Sequence, residues 1–123
     1  MITASQVLLV EDDADSRAMM VIGLEYAGVR VVTATNGVEA YNLARMHHPS
    51  LILLDLMMPT MTGEEFRHAQ LATPEIRNIP VVVVSAHHDA LKIARRMRAA
   101  GCLTKPIDFD KLADIVARYC RRI

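Results

Sequence analysis

Glu11, Asp12 and Asp13 follow the apolar run Gln6–Val10 directly, and a fourth acid, Asp55, follows the aliphatic run LILL at 51–54. Ser85 ends the run VVVV at 81–84, and Lys105-Pro106 comes straight after Cys102-Leu103-Thr104. Acids brought to one place repel each other and need a cation. Hard oxygen donors favour Mg²⁺, which keeps several waters and takes one or two carboxylates plus phosphate oxygens. An ammonium and a hydroxyl beside such a site are what a phosphoryl group needs, since one neutralises its equatorial oxygens and the other donates a hydrogen bond. A carboxylate held there can attack phosphorus in line and become an aspartyl phosphate. Acids stand where a nucleotide site would place glycines, which argues against a dinucleotide or Walker-type loop.

These residues meet only if the apolar runs are parallel strands whose carboxyl ends share one rim. The pattern supports that arrangement. Strand-like runs at 6–10, 29–34, 51–54, 81–84 and 102–104 alternate with helical stretches at 15–27, 38–47, 62–71, 89–100 and 108 onward. Gly28 and Gly101 are expected to stop the first and fourth helices, and Pro49 the second. Thr62-Gly63-Glu64-Glu65 has the spacing of a capping box. Asp13 and Asp108 are placed to cap the first and last helices. Ala90, Ile93, Ala94 and Met97 share one face of the fourth helix; Leu112, Ile115, Val116 and Tyr119 share one face of the last. Five strand–helix units whose strands are apolar on both faces imply a doubly wound α/β fold, with ligands outside the strand carboxyl ends.

The 123 residues fit one domain, taken as 1–123, and 52% are apolar. Fourteen basic against fourteen acidic side chains leave no excess positive charge, so nucleic-acid binding by this domain is not expected. No apolar run is long enough to cross a membrane and no signal peptide is visible, which makes a cytoplasmic location the default. The two cysteines, Cys102 and Cys120, form neither a metal pattern nor a disulfide framework.

With VLLVEDD, LILLDLMMPTMTG, VVVVSA and GCLTKP in this order, the chain resembles the receiver domain of bacterial two-component response regulators over almost its whole length. The resemblance implies a flavodoxin-like five-stranded parallel sheet in the order 2-1-3-4-5. It implies that Asp55 is the phosphoacceptor and that Mg²⁺ is held by Asp12, Asp55 and the backbone carbonyl of Met57, with Glu11 acting through water. It makes Ser85 the switch hydroxyl and Lys105 the group that holds the phosphoryl oxygens, with the Lys105-Pro106 bond often cis. The donor would be a phosphohistidine on a histidine kinase or phosphotransfer protein, or a small acyl phosphate. Such a domain handles its own phosphoryl group and turns over no external substrate.

The chain departs from the family at Cys102, where an aromatic residue commonly stands three positions before the lysine. A thiol cannot supply the usual inward-turning ring. A constitutive interaction module on the same fold, not switched by phosphate, therefore stands as the alternative, and Cys102 itself reads as a small filler in an edge strand. A phosphohydrolase is disfavoured because Met57 occupies the place of a second acid. His87 and His88 read as loop residues, because neighbours on a helix do not face one site. In the family, the positions of His87 and Met57 flank the path of attacking water. Met57, Met58 and Met61 are either loop packing or part of a kinase contact. Lys92, Arg95, Arg96 and Arg98 put charge on the fourth helix, and Arg118, Arg121 and Arg122 crowd the end of the last. A homodimer or a downstream protein could dock on these last two helices.

Overall fold

The structure, a computed structural model, describes residues 5–58 and 60–121. Pro59 and Arg122 lie outside the described residues. Five strands alternate with five helices: β1 (Gln6–Val10), α1 (Ala14–Tyr26), β2 (Arg30–Ala34), α2 (Gly37–His47), β3 (Leu51–Leu54), α3 (Gly63–Leu71), β4 (Val81–Ser85), α4 (Ala90–Arg96), β5 (Gly101–Thr104) and α5 (Phe109–Tyr119). All strand pairs are parallel and the sheet order is β2-β1-β3-β4-β5.

Alternation of side chains along each strand sends apolar groups to both faces. Leu8, Val10, Ile52, Leu54, Val81 and Val83 pack with Ala40, Ala44, Phe66, Ala90 and Ala94 beneath α2, α3 and α4. Val7, Leu9, Leu51, Leu53, Val82 and Val84 pack with Met20, Leu24, Leu112 and Val116 beneath α1 and α5. Both faces are covered, which is why these strands read as continuous apolar runs rather than alternating ones.

The helix starts follow the sequence closely. Asp13 accepts from the Ser16 N–H at 2.8 Å, and Asp108 accepts from the amides of Asp110 and Lys111 at 2.8 and 3.3 Å. Thr62 and Glu65 form the expected capping box, each side chain bonding the other's backbone N–H at 3.1 Å.

The end of α4 differs from the expectation. The helix stops at Arg96 rather than Ala100, and Gly101 is the first residue of β5 rather than the stop signal. The turn is made by Arg98, in the left-handed region at φ 56°. Its N–H bonds the Arg95 carbonyl at 3.1 Å and the next N–H, of Ala99, bonds Ala94 at 2.9 Å. That is a Schellman closure built without glycine. Arg67 holds it in place from α3. Its Nε donates to the Met97 carbonyl at 3.1 Å and its guanidinium to the Arg98 carbonyl at 3.0 Å and Gln70 Oε1 at 2.8 Å. Gln70 in turn donates to the carbonyls of Ile76 and Ile79, both at 2.9 Å. Arg67 and Gln70 are both buried.

Candidate functional site

Backbone bonds carry the chemistry-bearing residues to the rim. The Glu11 N–H continues the ladder to Ala34, that of Asp55 to Val10, and that of Lys105 to Ser85, all at 2.9–3.0 Å. Because the strands run parallel, the carboxyl ends of β1, β3, β4 and β5 open on the same mouth.

Carboxylate oxygens of Glu11, Asp12 and Asp55 lie within 4.8 Å of one another. Glu11 and Asp55 are buried and Asp12 is exposed. Lys105 reaches in from the end of β5, paired with Glu11 and 3.7 Å from Asp55 Oδ2. The other Asp55 oxygen accepts the Met57 N–H at 3.2 Å. Ser85 is fully buried at the end of β4, its Oγ accepting the His87 N–H at 3.1 Å. The Lys105-Pro106 bond is cis.

One ammonium thus faces three carboxyls. Burial and the neighbouring Asp55 push the Glu11 pKa above the ordinary carboxylate range, with Lys105 pulling only partly against them. Burial draws the Lys105 pKa down, but Glu11 and Asp55 outweigh it and the net shift is upward. The donors are all oxygen, so a hard divalent cation suits them and would relieve the surplus negative charge. Asp13 is turned away from this work. Its bonds to Ser16 hold its carboxyl below the usual range, as befits a helix cap.

The β3–α3 connection is packed against the site. A Cβ on Gly63 would lie 2.8 Å from the Asp55 carbonyl oxygen and 3.0 Å from the Leu56 Cα. Glycine is the residue that lets α3 begin this close to Asp55.

The three methionines separate. Met58 is buried, Met61 is half-buried against the core, and Met57 is 64% exposed at the mouth. Met58 and Met61 are loop packing. Cys102 is half-buried against the α2–α3–α4 side of the core, where burial pushes its thiol pKa up, as expected of a filler rather than a reactive thiol.

Arg17 went unread in the sequence. Its guanidinium donates to the carbonyls of Glu11 and Asp12 at 3.0 and 3.3 Å, fixing the acidic loop from the first turn of α1. A cation so near a helix N-terminus runs against the dipole, and that was the available signal.

The profile of the response regulator receiver domain matches residues 7–117. This chain belongs to that family. Among relatives, the receiver is similar to the polar-differentiation response regulator DivK of Brucella ovis, with 33% identity over 117 residues, 92% of this chain and 94% of that one. Its fold is similar to the chemotaxis protein CheY4 of Vibrio cholerae, with TM-score 0.85 and 28% identity over 95% of this chain and 99% of that one. It is also similar to the receiver domain of a sensor histidine kinase from Pseudomonas aeruginosa, with TM-score 0.86 and 25% identity over 95% and 98% of the two chains. That structure has a magnesium ion coordinated in its active site cleft. Among the described residues of this receiver, no helix is long and apolar enough to cross a membrane.

Proposed function

We propose that this receiver takes a phosphoryl group onto Asp55 and that the modified site changes what the domain binds. The observation that carries the reading is the convergence of Glu11, Asp12 and Asp55 within 4.8 Å, with Lys105 paired to two of them at the mouth of the sheet. A carboxylate oxygen of Asp55 forms the new O–P bond as the donor's P–N or P–O bond breaks. The electron pair of that bond leaves with the donor, a phosphohistidine on a histidine kinase or phosphotransfer protein, or a small acyl phosphate.

Lys105 orients the Asp55 carboxylate and then neutralises phosphoryl oxygens. Asp12, Asp55 and the Met57 carbonyl would hold Mg²⁺, with Glu11 acting through water. When bound, that ion would offset charge on the acids and on the incoming phosphoryl group. Ser85 Oγ accepts the His87 N–H and can still donate its own O–H to a phosphoryl oxygen, so recruitment of Ser85 pulls on the β4–α4 connection. The domain, taken as residues 1–123 and as cytoplasmic, works as a switch rather than as an enzyme on external substrates. A second copy or a downstream protein reads it through α4 and α5.

Asp55→Asn is expected to abolish Mg²⁺-dependent labelling by an acyl phosphate while leaving the fold intact. Labelling of the variant at the parent rate overturns the assignment. A beryllofluoride mimic that leaves partner binding unchanged would instead favour a constitutive module.

A further inference from the structure

A second group of metal-type donors lies in the β4–α4 connection, outside the acid cluster. His87, His88 and Asp89 each offer a ligand atom, and these atoms lie within 4.8 Å of one another. The sequence argued against this, since adjacent helical residues diverge. Here the two histidines precede α4, and their rings stack with centroids 4.7 Å apart and planes at 14°. His88 Nε2 is 3.2 Å from Asp89 Oδ2, and the His88 side chain is 85% exposed, so an ion has open access.

We propose that His87, His88 and Asp89 form a binding site for a borderline divalent transition-metal ion of the Zn²⁺ type, with water completing the coordination. Two imidazoles and a carboxylate are the donor set such ions take, whereas Mg²⁺ prefers the all-oxygen cluster at the mouth. The site does not depend on the phosphoacceptor reading.

Occupation has a structural consequence that follows from the imidazole itself. His87 Nδ1 accepts the Asp89 N–H at 3.0 Å. A neutral imidazole has one free lone pair. If Nδ1 binds the ion, that lone pair is taken. If Nε2 binds it, the ring proton must move to Nδ1, which then cannot accept. Either way the Asp89 amide loses its acceptor. Asp89 is the N-cap of α4 and its side chain makes no capping bond. The ion therefore loosens the start of α4, on the same loop whose His87 N–H is bonded to Ser85.

The test is a titration of the whole protein in excess Mg²⁺, with Co²⁺ read by visible absorption and diamagnetic Zn²⁺ read by the amide resonance of Asp89. One Co²⁺ per chain is expected, with a nitrogen–oxygen ligand-field spectrum and no thiolate charge-transfer band, and Zn²⁺ is expected to shift the Asp89 amide. His88→Ala and Asp89→Asn should each weaken binding by about tenfold or more. A variant with both His47 and His48 changed to Ala should bind as the parent does. No uptake in excess Mg²⁺, undiminished binding by His88→Ala, a thiolate band, or an unmoved Asp89 amide would each overturn the proposal.

Discussion

Lys105 and Arg67 are both cations drawn toward the interior, and they keep different company. Lys105 lies against Glu11 and Asp55, with Asp12 beside them, so its surroundings carry more negative charge than it can offset. Arg67 touches two backbone carbonyls and the Gln70 side chain, all neutral. At the first place charge is left over, and a polyvalent cation or an anion held by one can bind. At the second, hydrogen bonds are satisfied and no ligand is called for. Surplus charge at a rim marks chemistry; a buried charge with neutral, well-made bonds marks architecture.

The sharpest way to break this contrast is Arg67→Met. It leaves the carbonyls of Met97 and Arg98 and the Gln70 oxygen without their donor, and it is expected to cost about 3 kcal/mol in chemical denaturation. Mg²⁺ affinity should not change. A cost below about 1 kcal/mol would mean the bonds are not structural.

Asp55→Asn tests the other half, because removing one of three like charges should stabilise the metal-free protein, by on the order of 1 kcal/mol. Added Mg²⁺ should raise the melting temperature of the parent more than that of the variant. Equal metal-free stability of the two would show that the acids do not repel.

The pH dependence sharpens it further. Glu11 has a folded-state pKa above its ordinary 4.5. The folded protein therefore holds the Glu11 proton over a window in which the unfolded chain has lost it. That contribution to stability is full below about pH 4.5 and is lost as pH rises through the raised value. Metal-free parent and Glu11→Gln, compared across pH by thermal melts, should diverge in that window, the parent losing ground as pH rises. Lys105, also raised, adds stability that is present below its ordinary 10.5 and is lost only at higher pH.

The smallest effect belongs to Arg98→Gly. Relief of the left-handed backbone at φ 56° should add about 0.5–1 kcal/mol, readable as a small rise in the denaturation midpoint.

What the sequence made legible follows from how local each signal is. β3 runs over the expected residues, and Asp13, Thr62–Glu65 and Asp108 cap the helices they were assigned, because a cap and its partner lie three residues apart or fewer. The acids, serine and lysine were found because each ends an apolar run, and parallel strands do the rest. Arg67 was missed because its main-chain partners lie 30 and 31 residues downstream and carry no side-chain signature. The same distant bonds misplaced the end of α4: with Arg67 holding the turn, an arginine adopts a geometry normally left to glycine. His87 and His88 were read as loop residues and do precede α4; that they approach each other and Asp89 closely is a property of the turn, which sequence spacing does not encode.

Gly63 has a mechanical corollary. With less than a methyl group's room between the start of α3 and the Asp55 peptide, those two parts travel as one piece. On the phosphoacceptor reading, the displacement that follows phosphoryl transfer has no slack on that flank. It must exit across the mouth, through Ser85 and the segment leading into the seven-residue α4, the compliant side of an otherwise stiff jaw.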